Sequence, residues 1–322
     1  MDVLTDMLER SRARGAAFSH SQIRGPWGLF FDGVPGLAVH TIVEGELFLW
    51  TEDETLQLLP GDIVLVRGGL DHSLASEPHR RCIPLTEYMA QARVAGSPRR
   101  FASGAGGETS EFFCGAYVFE GDICERLLSL LPDTLRLRPG AGSALRATMD
   151  LLAREMDQDD PGQQTLLDRL LDVALVQVLR EHFGAVGEAA PAWFRASADP
   201  QIGPALRALH ADPSRRWTVE DLAAEATLSR AAFARRFSAL LGVAPLAYLT
   251  GWRMALARER LRDSDDGIAG VADALGYASE FSFAAAFKRH HGVAPGRWRV
   301  SARRPADSPR TPLLADRPAR RS

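Results

Sequence analysis

Two stretches of the chain follow one plan about fifty residues apart: "WTVEDLAAEATLSRAAFARRFSALLGVAP" from Trp217, and "IAGVADALGYASEFSFAAAFKRHHGVAPGRWR" from Ile268. Each has a short apolar-faced segment, a polar turn, a Ser, and a second segment with Phe at a helical step. In the first, Val219, Leu222 and Ala223 form one apolar face, and Thr218 with Asp221 three residues on resembles a capping box in which Asp replaces the usual Glu. Ser229 is placed to cap the next helix, which turns Phe233, Phe237 and Leu240 inward and leaves Arg230, Arg235 and Arg236 on other faces. In the second, Ile268, Val271 and Ala272 face the core, Gly276 supplies a left-handed stop, Ser279 caps, and Phe283 and Phe287 point inward. An apolar segment from Pro245 to Arg262 joins the two as a further helix. A pair of tight helix-turn-helix units at this spacing demands an all-helical C-terminal region.

Charge separates along the chain. From residue 200 onward there are 19 Arg and one Lys against 12 Asp and Glu, whereas residues 1–199 carry 18 basic against 29 acidic side chains. A basic back half suits a polyanion, and the acidic front half has a different task. No run of 18 apolar residues is present, so no membrane partner is expected, and "MDVLTDMLERSRARG" lacks the apolar core of a secretory signal. Three cysteines, Cys82, Cys114 and Cys124, make no disulfide framework, which points to a reducing cytoplasm.

The first hundred residues read as short strands. "GLAVHTIVEGELFLWT" centres on a tight turn at "EGE", and "TLQLLPGDIVLVRGGLDHSLAS" contains a Pro-Gly-Asp turn at 60–62 and an apolar strand at 63–66. Such spacing predicts a small barrel or sandwich. "EFFCGAYVFEG" reads as a returning strand, and residues 142–183 as a helical hairpin whose apolar face either dimerises or packs back on the strands. The expected fold class is α+β: a β-barrel with a helical hairpin, then an all-α domain. The expected divisions are 1–184, a linker at 185–200, 201–300, and a disordered basic tail at 301–322.

On the two modules quoted above, the chain resembles the AraC/XylS family of bacterial transcription regulators over about a hundred residues. The resemblance implies a bipartite reader of double-stranded DNA, with the second helix of each module entering successive major grooves roughly 34 Å apart. Carried over by position, it implies base-facing roles for Arg230, Ala231, Ala234 and Arg235 in the first module and for Glu280, Ser282 and Ala285 in the second, with Arg236 and Ser279 at the interface. Arg235 suits a bidentate contact to guanine. Glu280 either accepts from a cytosine amine or is an ordinary helix-start glutamate. Lys288, Arg289 and His290 suit phosphates. Ala285 departs from the long polar side chain common in the family, leaving "FAAAF" either thymine methyl contacts or a grip on the backbone.

In the front half, "GDIVLVRGGLDH" resembles the second cupin motif, with Gly61, Gly69 and His72 matching and Arg67 standing in for the Pro. The first cupin motif is poorly kept: Ala38 occupies the usual ligand-glutamate position, and His40 lies two residues on, on the same strand face. The resemblance implies a cupin-type sensor domain. His40 and His72 could meet inside it and hold Zn or another divalent metal, with Glu46, His79 or Cys82 as a third donor. Alternatively, they line a pocket for a small organic effector together with Trp50, although Trp27, Phe30, Phe48 and Trp50 read more readily as core. Cys82, after Arg80 and Arg81, and Cys114 are the candidates for a redox signal.

The expected function is therefore a sequence-specific DNA-binding regulator answering a small-molecule or redox signal, not an enzyme. It is expected as a cytoplasmic homodimer, with RNA polymerase open as a partner. The alternative is a metal-dependent cupin enzyme, a dioxygenase or isomerase, fused to a DNA-binding domain; the missing ligand set of the first motif argues against it.

Overall fold

The computed structural model describes residues 1–303 except 11, 35, 96, 98, 121, 157 and 159; the expected tail lies, from 304 on, outside the described residues. In chain order the elements are α1 (Val3–Arg10), β1 (Arg12–Arg24), β2 (Gly28–Phe31), β3 (Leu37–Glu44), β4 (Leu47–Trp50), β5 (Thr55–Leu58), β6 (Ile63–Arg67), β7 (His72–Ala75), β8 (Ile83–Pro84), α2 (Leu85–Ala92), β9 (Arg100–Ser103), β10 (Thr109–Glu120), α3 (Asp122–Leu128) and β11 (Thr134–Leu137). Helices follow: α4 (Ala144–Met156), α5 (Gln163–Ala185), α6 (Ala192–Ala198), α7 (Ile202–Ala211), α8 (Val219–Glu225), α9 (Arg230–Leu241), α10 (Pro245–Asp263), α11 (Ile268–Ala274), α12 (Glu280–His291) and α13 (Pro295–Ala302). Among the described residues the chain divides into a β unit, 13–120 with 128–185, and a helical unit, 1–12 and 121–127 with 186–303.

The β unit corrects the expected barrel. Its strands form two open sheets, a six-stranded one ordered β11-β6-β3-β10-β1-β9 and a five-stranded one ordered β5-β4-β7-β2-β8. Among the described residues no ladder joins them, so β11, β9, β5 and β8 remain edges and no closed barrel forms. The turn at Gly45 explains the difference. It resembles a hairpin turn in the sequence, yet β3 pairs with β6 and β10 while β4 pairs with β5 and β7. The chain thus crosses from one sheet to the other at Gly45 (φ +86), where an added Cβ would stand 2.7 Å from the Thr109 carbonyl oxygen. One apolar core lies between the sheets, with Ile42, Val64 and Phe112 from the first and Leu29, Leu49 and Leu74 from the second. The outer face of the six-stranded sheet is covered by the α4/α5 hairpin, where Met149, Leu152, Leu171 and Val178 meet Val39, Leu65 and Phe113. The Pro60–Asp62 turn is fixed by buried Asp62, which accepts from Arg138 Nε (2.6 Å) and Nη2 (2.9 Å) and from Leu59 N (3.1 Å). Arg138 and these bonds hold the Asp62 carboxyl below its ordinary value against the opposing effect of burial.

In the helical unit the second helices of the two modules repeat each other cap for cap, whereas α8 starts at a Thr218 capping box and α11 at Gly267 without a side-chain cap. Ser229 accepts from Ala232 N (3.3 Å) and Ser279 from Ser282 N (3.2 Å), starting α9 and α12. Gly242 and Gly292 end them in the left-handed conformation, and Pro245 and Pro295 open the helices that follow. The Thr218–Asp221 capping box is complete, with both reciprocal bonds made (3.1 and 2.9 Å). Phe233, Phe237, Phe283 and Phe287 are buried in one core with Leu222, Val271 and the inner face of α10. Residues 185–200, expected as a linker, hold a 3₁₀ turn at Gly187–Ala189 and α6, whose Ala196 is fully buried in that core. The small side chain of Ala196 permits close helix packing here.

Candidate functional site

α9 and α12 share one design: an inward Phe pair and an outward face carried by a helix whose first turn is capped. On α9 the outward positions are Arg230, Ala231, Arg235 and Arg236, all exposed, with Ala234 half-buried. Arg230 Nε pairs with Glu220 on α8 at 3.0 Å. Arg236 is held by Asp199, Nη2 to Oδ2 at 2.6 Å, and the same carboxylate accepts from the Gln201 and Ile202 amides at 2.9 Å. The Arg236 and amide bonds hold the Asp199 carboxyl below its ordinary value, outweighing desolvation. Arg236 is therefore engaged in joining α9 to the start of α7. Arg235 has no hydrogen-bond or ion-pair partner among the described residues and projects its guanidinium free. Of the three α9 arginines it is the one with all its donors available for a base edge.

On α12, Glu280, Ser282, Ala285, Lys288 and Arg289 are exposed. The hydroxyls of Ser279 and Ser282 are spent locally: Ser279 Oγ accepts the Ser282 amide, and Ser282 Oγ donates to the Ser279 carbonyl at 2.8 Å. Lys288 and Arg289 close the helix with His290 and His291, placing cations at its negative end. His290 is exposed, whereas His291 is half-buried and lies 3.3 Å from the Met254 carbonyl. Phe281, absent from the sequence-based set, is 79% exposed, in contrast to Phe283 and Phe287 at 0%. Its spacing was the available signal: a residue two positions before an inward Phe lies off the inward face.

The β unit brings His40 and His72 together as expected, with their Nε2 atoms 2.8 Å apart and both side chains buried. The remaining bonds assign the protons. His72 Nδ1 faces the Leu70 carbonyl at 3.3 Å and must donate, so its Nε2 accepts from His40 Nε2–H. His40 Nδ1 is then the acceptor for Cys114 S–H at 2.9 Å. This Cys114–His40–His72–Leu70 chain is neutral throughout. Burial, then the neighbouring His72, pushes His40 well below its ordinary value; burial lowers His72 to about 4. Burial pushes the Cys114 thiol up, and the half-buried Cys82 thiol shifts the same way. Neither cysteine shows the lowered value of a reactive thiolate. No group of three or more His, Cys, Asp or Glu side chains that could hold a metal ion is found among the described residues. Among the described residues His40 and His72 offer two imidazoles with no third ligating side chain grouped beside them.

Trp50 does not join the histidines. β4 turns Leu47 and Leu49 into the core and leaves Phe48 and Trp50 half-buried on the other face, where Trp50 lies 5.4 Å from His79. The aromatic partner is Phe31, opposite His72 on β2, stacked on it at 4.6 Å with 7° between the rings.

A Cupin family model matches residues 2–184 and a helix-turn-helix domain model matches residues 222–301. A putative AraC-like transcription regulator of Streptomyces lividans is 31% identical, covering 93% of this chain and 98% of its own length. The RCS-specific HTH-type transcriptional activator RclR of Escherichia coli is 27% identical over 94% of this chain and 99% of its own length. The solved DNA-binding domain of AdpA, in complex with a target DNA, is 36% identical, covering 34% of this chain and 99% of that one, with a TM-score of 0.32. The relatives are transcription regulators rather than enzymes, and no single described helix is long and apolar enough to cross a membrane. With a cupin domain over more than half its length, a DNA-binding helix-turn-helix domain behind it and nearly full-length identity to such a regulator, the chain belongs to the AraC-like family of transcription regulators.

Proposed function

We propose that the chain is a cytoplasmic, sequence-specific regulator that reads two successive major-groove segments with α9 and α12 and takes its signal through the cupin domain. The observation that carries this reading is the cap-for-cap repetition of Ser229–Gly242 in Ser279–Gly292, joined by the single helix α10. Two identical frames on one rigid connector present two different outward faces at a fixed separation. Arg235 reads a guanine in the first half-site, Lys288 and Arg289 grip phosphates beside the second, and Arg236 acts through Asp199 as a positioning residue.

In the cupin domain the neutral His40–His72 pair forms the polar floor of a site for a small organic effector, with the Phe31 ring against it. Dimerisation uses the outward row of α5, where Leu166 and Val173, one heptad apart, are 52% and 45% exposed. The redox reading rests on the name of the Escherichia coli relative and on the Cys114–His40 contact, whereas the raised thiols favour the organic effector.

Selection from a randomised duplex library with the full chain tests the reading. The expected product is a pair of short motifs about ten base pairs apart, one of which loses its guanine preference in Arg235→Ala, with about ten-fold weaker binding. Recovery of unrelated sequences, with affinity collapsing in salt, would overturn it.

A further inference from the structure

The two reading helices carry opposite chemistry in the same frame. Counting from the capping Ser, α9 presents Ala231 and Arg235 where α12 presents Phe281 and Ala285. The small residue and the long one have exchanged places. Phe281, Ala285 and Lys288 follow at i, i+4 and i+7, so one stripe of α12 runs from an aromatic ring through a methyl to a cation. Phe281 has no ring contact with another described residue and is 79% exposed, the most exposed large apolar side chain described. It contributes nothing visible to the core that Phe283 and Phe287 fill.

A phenyl ring can neither donate nor accept an ordinary hydrogen bond. Set against the polar major-groove edge of guanine, adenine or cytosine, it would strip water from groups it cannot satisfy. Thymine is the base whose edge offers an apolar group, its C5-methyl. Around the ring, Ala285 is a methyl and the Ser279 and Ser282 hydroxyls are bonded within the cap, so the exposed Glu280 carboxylate is the one strongly polar group beside it, and it accepts without donating. Lys288 and Arg289, further along the helix, supply the positive charge that a DNA surface requires.

We propose that Phe281 is a specificity-determining residue that reads a 5-methylpyrimidine, thymine in unmodified DNA, in the half-site bound by α12, with Ala285 leaving room for the methyl-bearing edge. The inference rests on the reading of α12 as a major-groove helix and adds to it the identity of the base.

The test uses the full chain and a duplex site recovered by selection, with each thymine of the second half-site replaced in turn by deoxyuridine, which lacks only the methyl. At one position the wild-type chain should bind about four-fold more weakly, the worth of one buried methyl-sized group. Replacing that deoxyuridine by 5-methylcytosine, paired with guanine, should recover affinity. Phe281→Ala should bind the thymine and deoxyuridine sites equally while keeping its preference in the first half-site, and its melting temperature should match the wild type. Deoxyuridine tolerated at every position, or an equal methyl preference in Phe281→Ala, would overturn the Phe281 assignment and leave the two-helix reading standing. Selected sites lacking any second motif would overturn both.

Discussion

Asp6 Oδ2 lies 2.7 Å from His210 Nδ1, with neither side chain exposed, so the first helix of the chain is fastened inside the helical unit. The imidazole donates to the carboxylate through Nδ1 and accepts the Tyr248 hydroxyl at Nε2, 2.9 Å away. Val3 is buried in the same core, and Trp252 lies 4.7 Å from the His210 ring. His210→Ala removes a charge-assisted bond from a dry site and should cost about 1.5–3 kcal/mol. Denaturant titration of the full chain, following the helical signal, measures it. The exposed His290→Ala serves as the control and should leave the curve in place.

Gly276 and Gly292 both have positive φ, +74 and +77, yet they differ in what surrounds them. An added Cβ at Gly276 would stand 1.8 Å from the Ser214 carbonyl oxygen, whereas Gly292 has nothing within 4 Å. Gly292→Ala should therefore cost only the left-handed penalty, about 1–2 kcal/mol. Gly276→Ala adds a backbone collision and should cost clearly more, which thermal melts of the two variants compare directly.

Burial holds the His72 imidazole at about 4, against an ordinary 6.5. Between those values the unfolded chain takes up a proton that the folded chain refuses, so stability falls as pH drops from about 6.5 and levels off below about 4. Each pH unit in that window costs up to about 1.4 kcal/mol from this group. His40 shifts in the same direction, by burial first and by the neighbouring His72 second, since the two imidazoles cannot both take up a proton. Urea unfolding at pH 7.5, 6 and 5 should show the decline, and His72→Gln should flatten it. An unchanged slope in His72→Gln would remove His72 from the cause.

The helical half was legible because its signals are local. Ser caps, inward Phe pairs and a stopping Gly sit within a dozen residues of one another, and each was placed from the sequence. Phe281 escaped because the sequence reading followed the inward pair Phe283 and Phe287 and gave the off-face ring two positions earlier no role. In the first module the left-handed turn residue is Thr227 (φ +52), a β-branched residue that gives no such signal. The front half was less legible because its pairings are distant. His40 lies opposite Cys114 and Val64, and no local pattern at Gly45 says that β3 and β4 leave for different sheets. The expectation of Trp50 beside the histidines, where Phe31 stands, follows from the same limit, since alternation along a short strand fixes two faces without naming the inner one. α1 lies nearly two hundred residues from the core it enters, and nothing in "VLTDMLER" names His210 as its partner.

The most direct measurement of the central claim is the affinity of the full chain for its selected site after five base pairs are inserted between the two motifs. Because α10 is a single helix of 19 residues joining the two reading units, the second motif cannot be followed when it rotates to the opposite face of the duplex. The account predicts that binding falls to the level of the first motif alone. It also predicts that Arg235→Ala then abolishes the sequence preference that remains. Unchanged affinity on the lengthened site would contradict it, because two rigidly joined helices cannot read motifs on opposite faces.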